Sequence, residues 1–473
     1  MFDYAVVGSG IGGSSIAAYL HAKGHKVVLF EKEPYLGGCS SSFYRKGQLY
    51  NTAATTLAGY QENLPLKEIF DAVGFVPDIV PIDPAIVVIQ GEKTTPRYKD
   101  FEKFLEVLEQ NYPHAKNRSF WSLVYEINSA FYEFRGHYYE SATFLKKLRS
   151  MVSFFPLFAK FRRYLLQDGA SFIEKFYGGV SQEYKDFLES QVLIVAQAPL
   201  KEINFFTAAI SLGYTFRDNF YTLGGMGKIF DGLVANIPDV MRKSEITSIT
   251  QGQGYFELHG KFSSVRARRV ILNATVYDAA KLFDASATKN YYKKYQKRDN
   301  RQSSFMLYMK IKSAKTFAHH YQIIQERVFP HAISKALFVS FSDQNDMQMC
   351  EAGYYSITAS IHTDADFWRD PLEYARKKQE LQDILKETIL SSLEIKEEEV
   401  AACFGATPKT FLRYIKREQL GGNAMSMKNF LPLLPGNDTE IKGLYQVGDS
   451  VYPAQGWPGV MMGVKNLIRL LDA

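Results

Sequence analysis

A glycine-rich turn near the N-terminus constrains the fold of this chain more than any other feature of the sequence. An apolar run is followed by three glycines at the GxGxxG spacing, Gly8, Gly10 and Gly13, then by a helical pattern, and then by a second apolar run that ends at Glu31. In a strand, turn, helix and strand of this kind, the first glycine permits the turn. The second lets the backbone approach a pyrophosphate, and the third lets helix and strand pack closely. The segment predicts a Rossmann-like dinucleotide-binding unit.

The residues after the second predicted strand extend this site. Glu31 follows Gly13 by 18 residues, and an acid at that distance accepts hydrogen bonds from the ribose hydroxyls of a dinucleotide's adenosine half. Lys32 is included in the predicted site, although a solvated side chain is the simpler interpretation of it. Gly37 and Gly38 then form a second glycine pair. A pair at this position resembles the FAD-binding flavoproteins with two dinucleotide-binding domains, which favours FAD over NAD.

Length, charge and composition exclude several other classes of protein. A chain of 473 residues has room for two or three domains, and 46% hydrophobic with 22% charged residues is typical of a globular protein. The net charge of +6 is modest, so no nucleic-acid partner is predicted. The three isolated cysteines and nine scattered histidines predict neither a disulfide framework nor a metal site. Without a signal-peptide pattern or an apolar stretch of about 18 residues, a cytoplasmic protein that does not span a bilayer is predicted.

Three later segments extend the pattern along the chain. A glycine-rich turn at 221–230 precedes a helical pattern, two predicted strands follow at 244–249 and 267–275, and a glycine- and proline-rich segment at 443–460 lies near the C-terminus. Together with the N-terminal motif, these segments resemble the phytoene desaturase family, which includes carotenoid cis/trans isomerases and retinol saturases. The resemblance is collinear over the whole chain and is specific in these segments. The serines after Cys39 and the pattern that starts at Gly448 favour the isomerases within the family.

The resemblance implies where FAD binds. Asp449 would bind the ribityl chain, and a helix that begins near Pro458 would point its amino end at the flavin ring, with the amide of Val460 close to the ring. Such a helix end carries about half a positive charge and stabilises the anion that forms when a flavin is reduced. The residues implied in FAD binding are Gly8, Ser9, Gly10, Ile11, Gly12, Gly13, Glu31, Lys32, Gly38, Cys39, Thr55, Ile246, Gly448, Asp449, Gly459 and Val460.

The same resemblance divides this α/β chain into an FAD-binding domain of three segments, a helical cap and a substrate domain built on a mixed sheet. The cap is predicted to be mainly helical from the spacing of Phe120, Val124, Ile127, Phe131 and Phe134. The substrate domain is predicted to be a sheet from the alternation of Phe305, Leu307, Met309 and Ile311. The predicted boundaries are 1–75, 218–285 and 435–473 for the FAD-binding segments, 76–217 for the cap and 286–434 for the substrate domain.

One departure from the family lies near the flavin by resemblance. The family has an aromatic residue and an aspartate, followed by a small residue and glycine, where this chain has Tyr50 and Asn51, followed by Thr52 and Ala53. The loss of the carboxylate removes a charge and a candidate base. We therefore expect the chemistry to differ from that of the better-known desaturases while FAD binding persists.

Residues 144–166 combine basic and apolar side chains without a single acid. This composition suits an anionic membrane surface, from which a lipid-soluble substrate would enter the enzyme. The alternative is a solvated helix that covers the core, and Pro156 is expected to interrupt any single long helix. The first interpretation is favoured, so the protein is predicted to associate peripherally with a membrane.

No Ser/His/Asp arrangement or carboxylate pair is recognisable in the sequence, so no catalytic side chain is predicted and the flavin is expected to carry the chemistry. By resemblance, the substrate is a long apolar polyisoprenoid. Desaturation would transfer a hydride to the flavin, with a quinone or oxygen as electron acceptor, whereas cis/trans isomerisation would produce no net redox change. Two alternatives stay open. One is a flavin amine oxidase, which prefers an aromatic cage that the sequence does not reveal, and the other is a non-enzymatic isoprenoid-binding escort protein of the same fold.

Overall fold

Two seven-stranded sheets organise the computed structural model of the chain. The structure describes residues 1–136, 138, 144–283, 291–292, 302–420, 422, 426–427, 434–453 and 455–472. The strands are β1 (Phe2–Val7), β2 (Val27–Phe30), β3 (Ser42–Arg45), β4 (Gln48–Asn51), β5 (Leu57–Ala58), β6 (Ile79–Pro81), β7 (Ile86–Gln90), β8 (Lys93–Arg97), β9 (Asn219–Thr222), β10 (Asp239–Met241), β11 (Ile246–Gln251), β12 (Phe256–Gly260), β13 (Val265–Leu272), β14 (Gln302–Lys312), β15 (His320–Ile324), β16 (Ala336–Phe341), β17 (Tyr354–Asp364), β18 (Val400–Ala406) and β19 (Leu444–Gln446). The helices are α1 (Ile11–Ala22), α2 (Pro65–Ala72), α3 (Phe101–Asn111), α4 (Asn117–Glu133), α5 (Phe144–Leu165), α6 (Gly169–Tyr177), α7 (Gln182–Ala196), α8 (Phe205–Leu212), α9 (Gly227–Val234), α10 (Val276–Ala279), α11 (Tyr374–Ser392), α12 (Pro408–Ile415) and α13 (Gly456–Leu471).

The first sheet is a dinucleotide-binding sheet whose strands come from three separate parts of the sequence. Its strand order is β10-β2-β1-β13-β12-β11, and β19 pairs with β13. The strands β10, β2, β1, β13 and β19 are parallel to one another, whereas β12 runs antiparallel to β13 and to β11. β2 is buried along its whole length, as expected for a parallel strand that is covered on both faces. The predicted α/β, Rossmann-like class is confirmed.

The helices α1, α2, α9 and α13 share one apolar core with β1 and β2. This core contains Val6 and Leu29 from the strands, Ile16 from α1, Phe230 from α9 and Val464 from α13. Since α1 lies near the start of the chain and α13 near its end, the burial of these side chains brings the N-terminal and C-terminal motifs to one place.

The second sheet is the floor of the substrate domain and has the strand order β18-β14-β17-β16-β15-β7-β8. Successive side chains of a strand point to opposite faces of the sheet. On one face, an apolar core with α11 contains Phe305, Leu307, Met309 and Ile311. The predicted alternation is therefore confirmed, and the opposite face is left to border a cavity.

The hairpin of β7 and β8 corrects the predicted extent of the helical cap. The sequence pattern predicted a cap over 76–217, but residues 86–97 belong to the substrate sheet, where β7 pairs in parallel with β15. The buried positions of β7 alternate along its sequence, Ile-Val-Val-Ile-Gln, and a period of two is that of a strand. The helical part of the cap begins at α3, and the other predicted boundaries stay a prediction.

The cap contains the helices α3 to α8 among the described residues. Its predicted amphipathic helix is present as α4, which buries Phe120, Val124, Ile127 and Phe131. Phe134 follows directly after the last residue of α4. These side chains belong to a large aromatic core with α7 and α8, so the interpretation as a buried helix face is confirmed.

The basic and apolar segment at 144–166 forms the long helix α5. The prediction that Pro156 interrupts this segment is wrong, because α5 runs from Phe144 to Leu165 with Pro156 inside it. A proline removes a single main-chain hydrogen bond, and Pro156 lies on the exposed side of α5, where water can hydrate the freed carbonyl. None of the helices that the structure describes is long and apolar enough to cross a bilayer.

Candidate functional site

One cavity of about 980 Å³ extends from the glycine-rich turn into the space between the cap and the substrate sheet. A volume of this size is at the upper end of the range for small-molecule sites. Of the sixteen residues that the resemblance implied in cofactor binding, all except Gly13 line this cavity. Residues from β1, β2, β11, the segment directly after β13 and the start of α13 therefore meet at one place, although they are up to hundreds of positions apart in the sequence.

The three motif glycines have different physical roles. Gly8 has a φ of +96°, a left-handed conformation that favours glycine. A Cβ atom on Gly13 would lie 2.0 Å from the carbonyl oxygen of Gly8, so only glycine allows α1 to approach β1, as predicted. A Cβ atom on Gly10 would lie 2.6 Å from the side-chain nitrogen of Asn273. Gly10 therefore makes room for Asn273 at the end of β13, a requirement that the motif alone did not reveal.

Glu31 lies where the sequence predicted it, at the end of β2 and against the glycine turn. One carboxylate oxygen accepts hydrogen bonds from the backbone N–H (3.0 Å) and the hydroxyl (2.6 Å) of Ser9. The other accepts from the backbone N–H of Glu33 at 3.0 Å. These bonds hold the buried carboxylate in one orientation toward the cavity. Lys32 lines the same cavity and donates to the carbonyl of Tyr414.

An arginine that the sequence did not single out lies at the predicted ribityl site. The guanidinium of Arg417 forms two hydrogen bonds with the Asp449 carboxylate, at 2.9 and 3.3 Å. Burial disfavours the charge of Arg417, but Asp449, Cys39 and Asp278 together outweigh burial and raise the pKa of the guanidinium. Burial raises the pKa of the adjacent Cys39 thiol, and the charge of Arg417 opposes that shift. Arg417 is thus a permanently charged group within the dinucleotide part of the cavity.

The segment that carries Arg417 covers this part of the cavity. It comprises the second half of α12 of the substrate domain and the residues that follow this helix. Its residues Leu412, Ile415, Lys416, Arg417 and Leu420 line the cavity. Lys416 also lies 3.8 Å from the carboxylate of Glu245, beside β11. The substrate domain therefore contributes one wall, residues 412–420, to a site that the sequence assigned to the Rossmann-like domain alone.

The two helix starts in the cavity suit a phosphate-bearing ligand. Neither α1 nor α13 has a side-chain cap at its first turn, and neither has an acidic residue there. The first N–H groups of a helix lack partners within the helix, and together with the helix dipole they favour an anion. The glycine turn, the buried acid Glu31 and these two helix ends fit a dinucleotide cofactor.

The rest of the cavity is a chamber above the substrate sheet. Cross-strand neighbours pair Ser304 with His362 and Met306 with Ser360. The chamber floor comprises these residues together with His320 and Phe338. The cap closes the opposite side with Phe131, Tyr132, Ile194, Ile210 and Tyr214. Hydroxyls and imidazoles thus alternate with apolar side chains on the cavity face of the floor.

His320 links the Thr55–Thr56 turn to this floor through a hydrogen bond. Its Nδ1 donates to the carbonyl of Ala85 at 2.9 Å, since a carbonyl only accepts, so its Nε2 accepts from the Thr56 hydroxyl at 2.8 Å. Thr55 forms a 2.7 Å hydrogen bond with Ser340. Burial lowers the pKa of His320 well below its usual value and that of His362 to about 4. Both imidazoles are therefore neutral at physiological pH.

Asn51 does not line the cavity, although resemblance placed it near the flavin. Its side-chain oxygen accepts hydrogen bonds from the Ser42 hydroxyl at 2.8 Å and from the backbone N–H of Met226 at 2.9 Å. The residue that replaces the family's aspartate thus orders the glycine turn at the start of α9. The loss of the carboxylate at this position therefore removes no group from the lining of the described cavity.

The sequence contained a signal for some of the missed residues and none for others. In β17, the alternation of side chains places Thr358, Ser360 and His362 on one face, so the sequence contained a signal for this polar face. Arg417 has no such pattern around it. Its position depends on how the substrate domain packs against the dinucleotide-binding sheet.

Comparisons with known proteins agree with this geometry. A family model described as an NAD(P)-binding Rossmann-like domain matches residues 6–73. The chloroplastic prolycopene isomerase of Daucus carota is 25% identical over the whole chain and 82% of its own length. The human all-trans-retinol 13,14-reductase is 28% identical over 24% of this chain and 20% of its own length. A 4,4'-diapophytoene desaturase of Staphylococcus haemolyticus is 45% identical over 11% of this chain and 10% of its own length.

Solved structures share the fold at low sequence identity. An oxidoreductase from Methanosarcina mazei has a TM-score of 0.65 and 18% identity, with 98% of this chain and 99% of that chain covered. Putrescine oxidase has a TM-score of 0.67 and 13% identity, with 100% and 98% covered. At such identities the likeness establishes the fold alone. A Rossmann-like domain of this type, in a chain that is collinear with prolycopene isomerase, indicates an enzyme with a flavin-type cofactor. The chain is thus similar over its whole length to a carotenoid isomerase, and over shorter segments to a retinol reductase and a carotenoid desaturase.

Proposed function

We propose that this protein is an FAD-dependent cis/trans isomerase of a long, conjugated polyisoprenoid. The observation that carries the proposal is the continuity of the cavity, which joins the glycine turn at Gly8 to the chamber floor at His362 without an intervening wall. A single space can thus hold a dinucleotide at one end and place an elongated substrate against it at the other.

FAD would be held by residues from three chain segments. The amides that follow Gly10 and the guanidinium of Arg417 would bind the pyrophosphate, and Glu31 would bind the ribose. Asp449 would bind the ribityl chain, and the start of α13, from Gly459 to Val460, would face the ring. A bound flavin supplies reversible electron transfer to or from the polyene. The remaining proposed roles belong to the chain itself, which binds, orients and shields the substrate.

Isomerisation is favoured over desaturation by the acid–base groups of the chamber. The four carboxylates that line the described cavity, Glu31, Glu245, Asp278 and Asp449, all lie at the dinucleotide end. His320 already accepts a hydrogen bond, and His362 has a pKa of about 4, far from that of an efficient base at neutral pH. Desaturation must remove a proton, whereas isomerisation transfers none. The full-length similarity to prolycopene isomerases supports the same choice.

The test is an anaerobic incubation of FAD-loaded protein with a cis polyene, before and after chemical reduction of the flavin. We expect the polyene geometry to change only with reduced flavin, and flavin absorbance to be the same at the start and the end. Bleaching of oxidised flavin with a longer polyene chromophore would instead establish desaturation. Ser360→Phe should block conversion while flavin content is unchanged, because its larger side chain fills the chamber floor.

We also propose that α5 rests on an anionic membrane, because such a lipid-soluble substrate would enter the enzyme from a bilayer. Exposed fractions of 78% for Phe144, 71% for Met151 and 66% for Phe155 are high for large apolar side chains. Basic residues surround them on the same helix, namely Lys146, Lys147, Arg149, Lys160, Arg162 and Arg163. Apolar side chains flanked by cations match the interface of a bilayer with acidic headgroups.

Sedimentation with vesicles tests the membrane contact. Phe155→Glu should weaken binding to phosphatidylserine-containing vesicles by about thirtyfold, because a buried phenyl group contributes about 2 kcal/mol. The control is Leu372→Glu, which changes an 89% exposed leucine far along the chain from α5. Equal binding of wild type and Phe155→Glu, or equal binding to neutral and anionic vesicles, would contradict the contact.

A further inference from the structure

Three residues with hydrogen-bond donors line the cap side of the chamber. Arg217, Tyr132 and Tyr214 all line the cavity. The guanidinium of Arg217 lies 5.2 Å from the centre of the Tyr132 ring, and the backbone N–H of Arg217 bonds to the carbonyl of Tyr214. Tyr132 thus contacts the guanidinium and Tyr214 is joined to Arg217 through the main chain, and we call these three residues the chamber arginine cluster.

The hydrogen bonds of Arg217 leave part of its guanidinium unused. Its Nε donates to Asn128 at 2.9 Å and its Nη2 donates to Ser129 at 2.8 Å. These partners are a neutral amide and a neutral hydroxyl, and Nη1 has no partner among the described residues. The contacts fix the orientation of the guanidinium plane and leave one edge free for a ligand.

The charge of Arg217 also lacks a counterion. No carboxylate in the described part of the chain forms an ion pair with it, and its sequence neighbour Asp218 pairs with Lys99 instead. The other arginine in the cavity, Arg417, is neutralised by Asp449. A cation beside a partly apolar chamber, with no anion nearby, is costly unless a ligand supplies the opposite charge.

The two tyrosines add donors of the same kind. Tyr132 is 8% exposed, and no hydrogen bond of its hydroxyl or of the Tyr214 hydroxyl to a described residue is present. Burial raises the pKa of each phenol to about 12, so both stay protonated and can donate. A guanidinium edge and two phenols match a ligand group that only accepts hydrogen bonds.

We propose that the substrate carries a carboxylate at one end of its isoprenoid chain and that the chamber arginine cluster binds this carboxylate. The proposal rests on the proposed function and deepens it, because it changes the substrate class from a hydrocarbon to an isoprenoid acid. A carboxylate supplies the missing negative charge and accepts the free donors, whereas a hydrocarbon end would leave the donors unsatisfied. Arg217 would then set the depth at which the polyene lies relative to the flavin, as a positioning residue.

The experiment compares two probes with the same polyene, all-trans-retinoic acid and all-trans-retinol. Both absorb where tryptophan emits, and Trp457 lines the cavity, so quenching of tryptophan fluorescence in the FAD-loaded protein reports binding. We expect wild type to bind the acid about tenfold more tightly than the alcohol. Arg217→Gln should remove this preference, and Arg217→Lys, which keeps the charge, should retain part of it. Arg266→Gln, an exposed arginine outside the cavity, is the matched control.

A pH series separates a carboxylate contact from a structural role of Arg217. The preference of wild type should disappear only when the retinoic acid carboxyl becomes protonated. Equal affinity for acid and alcohol in wild type, or a preference that survives Arg217→Gln, would overturn the inference. A loss of flavin affinity in Arg217→Gln with the preference intact would also overturn it, because Arg217 would then belong to the flavin site. Conversion of hydrocarbon polyenes by a protein without acid preference would leave the proposed function standing while this inference fails.

Discussion

The dinucleotide end and the chamber end of the cavity are formed by different kinds of chemical groups. At the dinucleotide end, backbone groups and missing side chains make the surface, as at Gly8, Gly13 and the first turn of α1. At the chamber end, side chains from distant elements make the surface, as with Arg217 after α8 and His362 on β17. One end of the same cavity therefore depends on backbone geometry, and the other depends on packing between domains.

This difference predicts opposite sensitivities to mutation. A backbone-built site tolerates changes of most side chains but not the addition of a single Cβ atom at a close approach. A side-chain-built site tolerates added carbon atoms at some positions but loses its specificity when a polar group is removed. The dinucleotide end should accordingly be common to many chains of this fold, while the chamber end determines which substrate is used.

The largest effect should come from Gly13→Ala at the dinucleotide end. The new Cβ atom would lie 2.0 Å from the Gly8 carbonyl oxygen, so α1 must move away from β1. We expect a loss of about 3 kcal/mol in the free energy of unfolding and a protein that purifies without flavin. Urea unfolding and flavin absorbance per mole of protein measure both.

The control for this variant is Gly74→Ala. Gly74 has a φ of +68° and no heavy atom within 4 Å of an added Cβ, so only backbone strain of about 1 kcal/mol is added. If the two variants lost equal stability and Gly13→Ala retained its flavin, the backbone-built description of this end would be wrong.

The second prediction concerns the pH dependence of the free energy of unfolding, to which His362 at the chamber end contributes. The pKa of His362 is about 4 in the folded protein and about 6.5 in the unfolded chain. Between these values the unfolded state binds more protons, so stability is lost as pH falls from about 6.5 to 4. His362→Gln should reduce this slope by up to about 1.4 kcal/mol per pH unit. Urea unfolding at a series of pH values gives the slope.

The difference between His362→Gln and wild type should be independent of pH above about 7, where the imidazole is neutral in both states. His319 also has a pKa lowered to about 4 by burial, so part of the acid sensitivity will persist in the variant. An unchanged slope would mean that His362 is accessible to water and that the chamber floor is less enclosed than its packing indicates.

These two ends also differ in how far they could be predicted from sequence. The first strand, turn and helix and Glu31 follow from a local motif, because the contacts there join residues close in sequence, whereas the C-terminal site residues were implied by the family resemblance. The alternation of Phe305 to Ile311 was sufficient to predict the floor strand. In contrast, the hairpin of β7 and β8 and the role of Arg417 depend on contacts across domains. No local pattern encodes which distant surface a loop will cover.

Arg417 lies between the two ends of the cavity, and its replacement tests whether the substrate domain contributes to cofactor binding. It comes from the substrate domain, like the chamber residues, yet it bonds to Asp449 at the dinucleotide end. If it contacts the cofactor, Arg417→Gln should weaken FAD binding by about tenfold, equivalent to about 1.4 kcal/mol. Titration of flavin-free protein with FAD, followed by flavin fluorescence, measures the change.

The neighbouring Lys416 provides the matched control, because its exposed pair with Glu245 should contribute less than about 1 kcal/mol. Added salt should reduce the difference in FAD affinity between wild type and Lys416→Gln. It should preserve most of the loss of FAD affinity in Arg417→Gln, since salt screens exposed charges more than buried ones. If Arg417→Gln bound FAD as tightly as wild type, the ion pair with Asp449 would be a link between domains only. The dinucleotide end would then be made by the Rossmann-like domain alone, and the boundary between the two kinds of site would coincide with the domain boundary.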